Sequence, residues 1–195
     1  MSKTLNAAGF DVGHETLGTD GTSNWLAASP QYPIKPYQFD VIVLAVRHPL
    51  RVLRSCRATN WNFDVEFHPI MVGKDITRDL EVSTSVFHSL SHDFKCLEWW
   101  NSFTMLGHNI ASCWFSTDTI TPSLIRGLCQ VAGFDSCDKK NFEQLVRINA
   151  GYNKHAESTA RNATWDELET IASATELQVL KRSRTLCTTF SLDEC

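Results

Sequence analysis

Phe39-Asp40-Val41-Ile42-Val43-Leu44-Ala45-Val46-Arg47-His48-Pro49 runs apolar for the length of a strand and then stops on a basic, helix-opening sequence. Residues 41–46 show no polar alternation, so a strand built from them is apolar on both faces. Both faces must then be covered, which is the pattern of a central strand in a parallel α/β sheet. Pro49 stands where a helix can open, because the first helical position has no use for an N–H.

The flanking sequence alternates helix and strand patterns. Downstream, 82–106 carries Val86, Leu90, Phe94, Leu97 and Trp100 near a 3–4 spacing and reads as one long helix. A second buried strand is expected over 110–115, with helices over 122–132, 141–148 and 165–182. Upstream, 1–8 reads as a helix ended by Gly9, 10–12 as a short strand, 16–23 as a loop and 24–28 as a short helix. Pro30, Pro33 and Pro36 then hold the chain extended. The alternation predicts an α/β class in a single domain covering residues 1–195.

Composition narrows the function classes. The chain is 43% hydrophobic and 21% charged, which supports a packed core and excludes a disordered tail. No apolar run reaches the roughly 18–20 residues of a membrane span, and Met1-Ser2-Lys3-Thr4 carries no leader-like apolar stretch. Seven cysteines occur without a C-x-x-C pair. That spacing predicts free thiols in a reducing compartment and hence a cytoplasmic protein. The net charge is −4, yet the window 41–63 holds Arg47, Arg51, Arg54 and Arg57 with no Lys, Asp or Glu. A general nucleic-acid binder is excluded, and a local anion site is indicated instead.

Other residues have plainer readings. His88 and His92 stand at i, i+4 beside Asp93, but a third ligand is missing and Ser89 follows His88 where a zinc protease has Glu. They read as polar-face histidines, and no metal is expected. Trp99-Trp100 reads as core packing rather than a stacking platform. Asn162-Ala163-Thr164 is a glycosylation triplet only if the chain is secreted.

The stretch from Val41 to Ser55 resembles the 3′-phosphate-binding segment of sulfotransferases that use 3′-phosphoadenosine 5′-phosphosulfate (PAPS). There an apolar strand runs into Arg-x-Pro, with a Ser eight positions after the Arg; here these are Arg47, Pro49 and Ser55. Gly13-His14-Glu15, Asp20-Gly21-x-x-x-Trp25, Asn153-Lys154-His155 and Thr164-Trp165-Asp166-Glu167-Leu168 are similar to further segments of the family, in order along the chain. The resemblance implies a three-layer αβα fold around a mostly parallel, P-loop-like sheet. It implies that Arg47 and Ser55 grip the 3′-phosphate and that Lys154 closes over the nucleotide. Glu15, or alternatively His14, would be the base, and Trp25 would line the acceptor side. The donor would be PAPS, without a metal, and the acceptor a small molecule or carbohydrate bearing a hydroxyl or amine.

One family element has no counterpart. No Gly-Thr phosphosulfate loop after an apolar strand is found, and Gly73-Lys74 is followed by Asp75 rather than by Ser or Thr. The helix over 1–8 reads as the second half of something longer. The expectation is an N-terminally incomplete sulfotransferase that binds nucleotide weakly and transfers sulfate poorly. The alternatives are a non-catalytic remnant with a 3′-phosphate half-site, or an α/β interaction module.

Overall fold

The computed structural model describes residues 12–14, 21–23, 28–31, 39–59, 76–131 and 161–192. The protein is α/β, mostly helical, with two small parallel sheets of two strands each among the described residues. β1 (Val12–His14) pairs with β2 (Gly21–Ser23), and β3 (Val43–Val46) pairs with β4 (Cys113–Ser116) in the register Val43↔Cys113 to Val46↔Ser116. The helices are α1 (Pro49–Thr59), α2 (Thr84–Ser89), α3 (His92–Ile110), α4 (Pro122–Val131), α5 (Trp165–Ile171) and α6 (Ala174–Thr189). A 3₁₀ turn, Ile76–Asp79, precedes α2. Among the described residues no helix is long and apolar enough to cross a membrane.

The apolar run does form a parallel strand, but its burial is only partial. Val46 is 2% exposed, whereas Ala45 is exposed and Val43 and Leu44 are half-buried. Gly107 lets α3 come close to β3, since a Cβ there would lie 2.7 Å from Leu44 Cδ1. Pro49 opens α1 as its position predicts. His48 is the cap: its carbonyl accepts from the Arg51 and Val52 N–H groups at 3.0 and 3.1 Å, and its Nδ1 accepts from Leu50 N–H at 3.2 Å.

Several expectations are corrected. Residues 21–23 form a strand rather than a loop. The second strand of the β3 pair begins at Cys113, because α3 continues to Ile110. The long helix over 82–106 is broken, with Leu90 and Ser91 extended between α2 and α3. His88 and His92 therefore sit on different helices. The helix over 165–182 is likewise broken at Ala172 and Ser173. The helices expected at 1–8 and 141–148, and the one at 24–28 apart from Ala28, lie outside the described residues.

One carboxylate stitches both breaks. Glu176 Oε1 accepts from the Ser91 N–H and Oε2 from the Ser173 N–H, each at 2.9 Å, while Ser173 Oγ accepts from the Glu176 N–H at 3.3 Å. The second and third contacts form a capping box. Burial pushes the Glu176 carboxyl up, but the N–H groups of Ser173 and Ser91 outweigh it and hold the group at about 2 against an ordinary 4.5. A depressed carboxylate stabilises the fold above its unfolded pKa, and that contribution is lost as pH falls from 4.5 toward about 2. Glu176→Gln is expected to lower stability at pH 7 by about 1–2 kcal/mol and to flatten this acid limb. Denaturant titrations across pH check both; an unchanged acid limb contradicts the clip.

The core lies around α3. Phe94, Leu97, Trp99, Trp100 and Phe103 pack with Leu53 of α1, Leu168 of α5, and Val179, Leu180 and Leu186 of α6. Trp99 stacks on Phe103 at 4.9 Å between centroids, so the Trp pair is core, as its sequence position predicts. Polar groups fasten the same interface. Asn101 Nδ2 donates to the Val179 carbonyl at 3.1 Å, and Ser183 Oγ donates to Asn101 Oδ1 at 2.9 Å. Fully buried Glu98 pairs with Arg182 and accepts from Ser102 Oγ at 3.0 Å.

The cysteines overturn the free-thiol reading. Cys56 of α1 and Cys96 of α3 form a disulfide across a separation of 40 residues, buried in the core. Cys129 and Cys187 are also disulfide-bonded, while Cys113 is free. The spacing reading failed because this pairing is made by helix crossing, not by a local motif.

Candidate functional site

The carboxyl ends of β3 and β4 lie side by side, and the segments leaving them carry the charged groups. Thr117 N–H donates to the Val46 carbonyl at 2.7 Å, which extends the ladder one step and sets Arg47 and His48 beside Thr117 and Asp118. In open α/β sheets this edge is where ligands collect. Trp100 Nε1–H, from the core helix α3, donates to the Arg47 carbonyl at 3.0 Å and fixes the backbone there.

Arg47 is half-buried, and burial draws its pKa below the ordinary arginine value. Asp118 opposes that shift by attraction, while Arg51 and Arg54 reinforce it by repulsion. Arg47 stays cationic, partly stripped of water and placed between the Asp118 carboxylate and two further arginines. Asp118 accepts the His48 N–H through Oδ2 at 2.9 Å and pairs with Arg51 through Oδ1 at 3.0 Å. The Asp118 side chain is 16% exposed and that of Arg51 is 62% exposed, so the pair spans the rim of the site. Ser55, half-buried, stands one turn beyond Arg51 on the same face of α1.

The fourth arginine of the basic window has a different task. Arg57 Nε donates to both carboxylate oxygens of Asp93 at 3.1 Å, and Nη1 donates to the Arg161 carbonyl at 3.2 Å. Its hydrogen bonds to Asp93 raise its pKa, against a smaller opposing effect of burial. Glu167 lies 3.7 Å from Arg57 and also pairs with Arg161 at 3.7 Å. Arg57 thus ties α1 to α3 and to the entrance of α5, and the anion-site candidates narrow to Arg47, Arg51, Arg54 and Ser55.

Of the other expected site residues, His14 ends β1 opposite Ser23 in the register. Glu15, Trp25 and Lys154 lie outside the described residues. Sequence reasoning missed Asp118 and His48. Asp118 had no signal, since its partners are 67 and 70 residues away. His48 was readable as a cap, because it directly precedes a Pro that opens a helix.

The arrangement is suited to a multiply charged anion. It combines a fork-shaped guanidinium at reduced hydration with two further arginines within electrostatic reach beside the opening of a helix, which also carries the Ser55 hydroxyl one turn beyond Arg51. Compared with known protein families, with curated proteins and with solved structures, the chain matches none.

Proposed function

We propose that the protein is a PAPS-dependent sulfotransferase whose 3′-phosphate grip is Arg47 and Ser55. The observation that carries this reading is the half-buried Arg47 guanidinium at the carboxyl end of a parallel strand, drawn down first by burial and, against the attraction of Asp118, by repulsion from Arg51 and Arg54. A bound phosphate relieves that repulsion and replaces the lost hydration with charge-assisted hydrogen bonds. The finer fold that goes with this reading is a three-layer sheet of the P-loop-like kind, of which β3 and β4 are two neighbouring strands.

In the proposed reaction the acceptor oxygen or nitrogen forms a bond to sulfur, and the bond from sulfur to the phosphate oxygen breaks. Adenosine 3′,5′-bisphosphate leaves with the electron pair. The acceptor proton passes to Glu15, with His14 as the alternative base. The acceptor is a small molecule or carbohydrate, Trp25 lines its side of the site, and Lys154 closes over the nucleotide.

The compartment we propose is an oxidising one. The cytoplasmic expectation rested on free thiols, and the Cys56–Cys96 disulfide removes that support.

Asp118 favours a second reading. Its carboxylate already takes the His48 N–H and pairs with Arg51, so the cation cluster is partly neutralised from within. On this reading the chain is a binding module, not a transferase.

The test is transfer of labelled sulfate from PAPS to a panel of carbohydrate and phenolic acceptors. Slow transfer that falls further in Arg47→Ala is expected. Nucleotide binding without any transfer selects the binding module, and the absence of both overturns the two readings together.

A further inference from the structure

We propose that Asn162 carries an N-linked glycan. Asn162-Ala163-Thr164 is the one N-x-S/T triplet in the chain, and its middle residue is not Pro. The local fold presents it to solvent. Residues 161–164 are non-helical and lead into α5, with Arg161, Asn162 and Thr164 exposed and Ala163 only 5% exposed. Ala163 and fully buried Leu168 join the same core, as a hydrophobic staple at a helix start does. That staple turns Ala163 inward and leaves its neighbour Asn162 outward. Thr164 Oγ1 accepts from the Glu167 N–H at 3.2 Å, and Arg57 holds the Arg161 carbonyl, so both sides of Asn162 are anchored while its own side chain faces water.

The second, independent observation is the set of disulfide-bonded cysteines, Cys56, Cys96, Cys129 and Cys187. Disulfides and N-glycosylation belong to the same secretory route, so this inference rests on the oxidising compartment proposed above and not on sulfuryl transfer. The modification precedes folding, when the Thr164 hydroxyl is not yet engaged as a cap. The Asn162 amide nitrogen forms a bond to the anomeric carbon of a lipid-pyrophosphate-linked oligosaccharide, supplied with its transferase by the host. The carbon–oxygen bond to pyrophosphate breaks, the lipid pyrophosphate leaves with the electron pair, and the amide proton passes to a base of that transferase. After folding, the glycan leaves the chain one residue beyond Arg161, whose carbonyl Arg57 holds.

The test uses the full-length protein recovered from its source cells. Thiols are alkylated without reduction, and the protein is then treated with peptide N-glycosidase in heavy-oxygen water and mapped by peptide mass. The expected result is a heavy-oxygen Asp at position 162 together with unalkylated Cys56 and Cys96. An unmodified Asn162 beside an intact disulfide overturns the glycan alone; an unmodified Asn162 beside alkylated Cys56 and Cys96 overturns the compartment as well. In secretory expression, Asn162→Gln is expected to abolish the glycosidase-sensitive gel shift. Thr164→Ser, which keeps both triplet and cap, is expected to retain it. A shift that persists in Asn162→Gln overturns the assignment.

Discussion

Replacing both Cys56 and Cys96 by Ala is expected to lower stability by about 4 kcal/mol, the size expected for the unfolded-chain entropy that a crosslink closing a loop of this length removes. The two residues are 40 apart in sequence and join α1 to α3 within the core, so the constraint acts on the elements that bear Arg47's neighbours and Trp100. Against a typical total of about 5–15 kcal/mol this is a large fraction, equivalent to a fall in Tm on the order of 10 °C. Ala is preferred to Ser because both positions are buried, at 3% and 1% exposure, and a hydroxyl there adds an unsatisfied polar group. Chemical unfolding of the wild type with and without reductant, alongside the double variant, measures the effect. Identical midpoints for oxidised and reduced wild type contradict the crosslink.

Glu98→Ala carries the second large effect, a loss of about 3 kcal/mol. Glu98 is fully buried, pairs with Arg182 and accepts from Ser102 Oγ, so truncation strands a cation and a hydroxyl at the α3–α6 interface. Arg182 keeps Glu81, its Nε lying 3.2 Å from Oε2, which holds the loss toward the lower end for a broken buried pair. Burial raises the Glu98 pKa despite the opposing pull of Arg182. An acid with a raised folded pKa binds its proton more tightly in the fold, so its ionisation subtracts stability as pH rises from the unfolded to the folded value. Glu98→Gln keeps the shape and one of the two acceptor oxygens without that charge and is expected to be closer to wild type than Ala. Equal losses in the two variants contradict a hydrogen-bonding role.

How legible this architecture was depends on the range of the forces involved. β3 and the start of α1 were readable because an unbroken apolar run and Pro49 act within a few residues. Both helix breaks were hidden under an apolar periodicity that runs through Leu90 and Ala172 without a fault. Ser173-Ala174-Thr175-Glu176 does carry the S-x-x-E signature of a helix start, so the second break was available to a reading that weighed caps above periodicity. The first was not, because the Ser91 N–H finds its partner in Glu176, 85 residues on. β2 gave no signal, since Gly21-Thr22-Ser23 lacks apolar residues.

The same distinction separates the arginines. Four stood in one window with nothing local to rank them. Asp93 lies 36 residues beyond Arg57 and takes it into a structural clamp, while Asp118 pairs with Arg51 and attracts Arg47 without offsetting the effect of its burial. The cysteines show the point most sharply, because absence of a spacing motif was read as absence of bonds.

The central claim is a 3′-phosphate grip at Arg47, and calorimetric titration of adenosine 3′,5′-bisphosphate against 5′-AMP tests it most directly. Loss of a buried charge-assisted contact costs about 2–3 kcal/mol, so the bisphosphate is expected to bind about 30–150-fold more tightly than 5′-AMP in the wild type. Arg47→Ala is expected to remove most of that preference while leaving 5′-AMP binding little changed. Equal affinities for the two nucleotides in the wild type, or a preference that survives Arg47→Ala, would contradict the account.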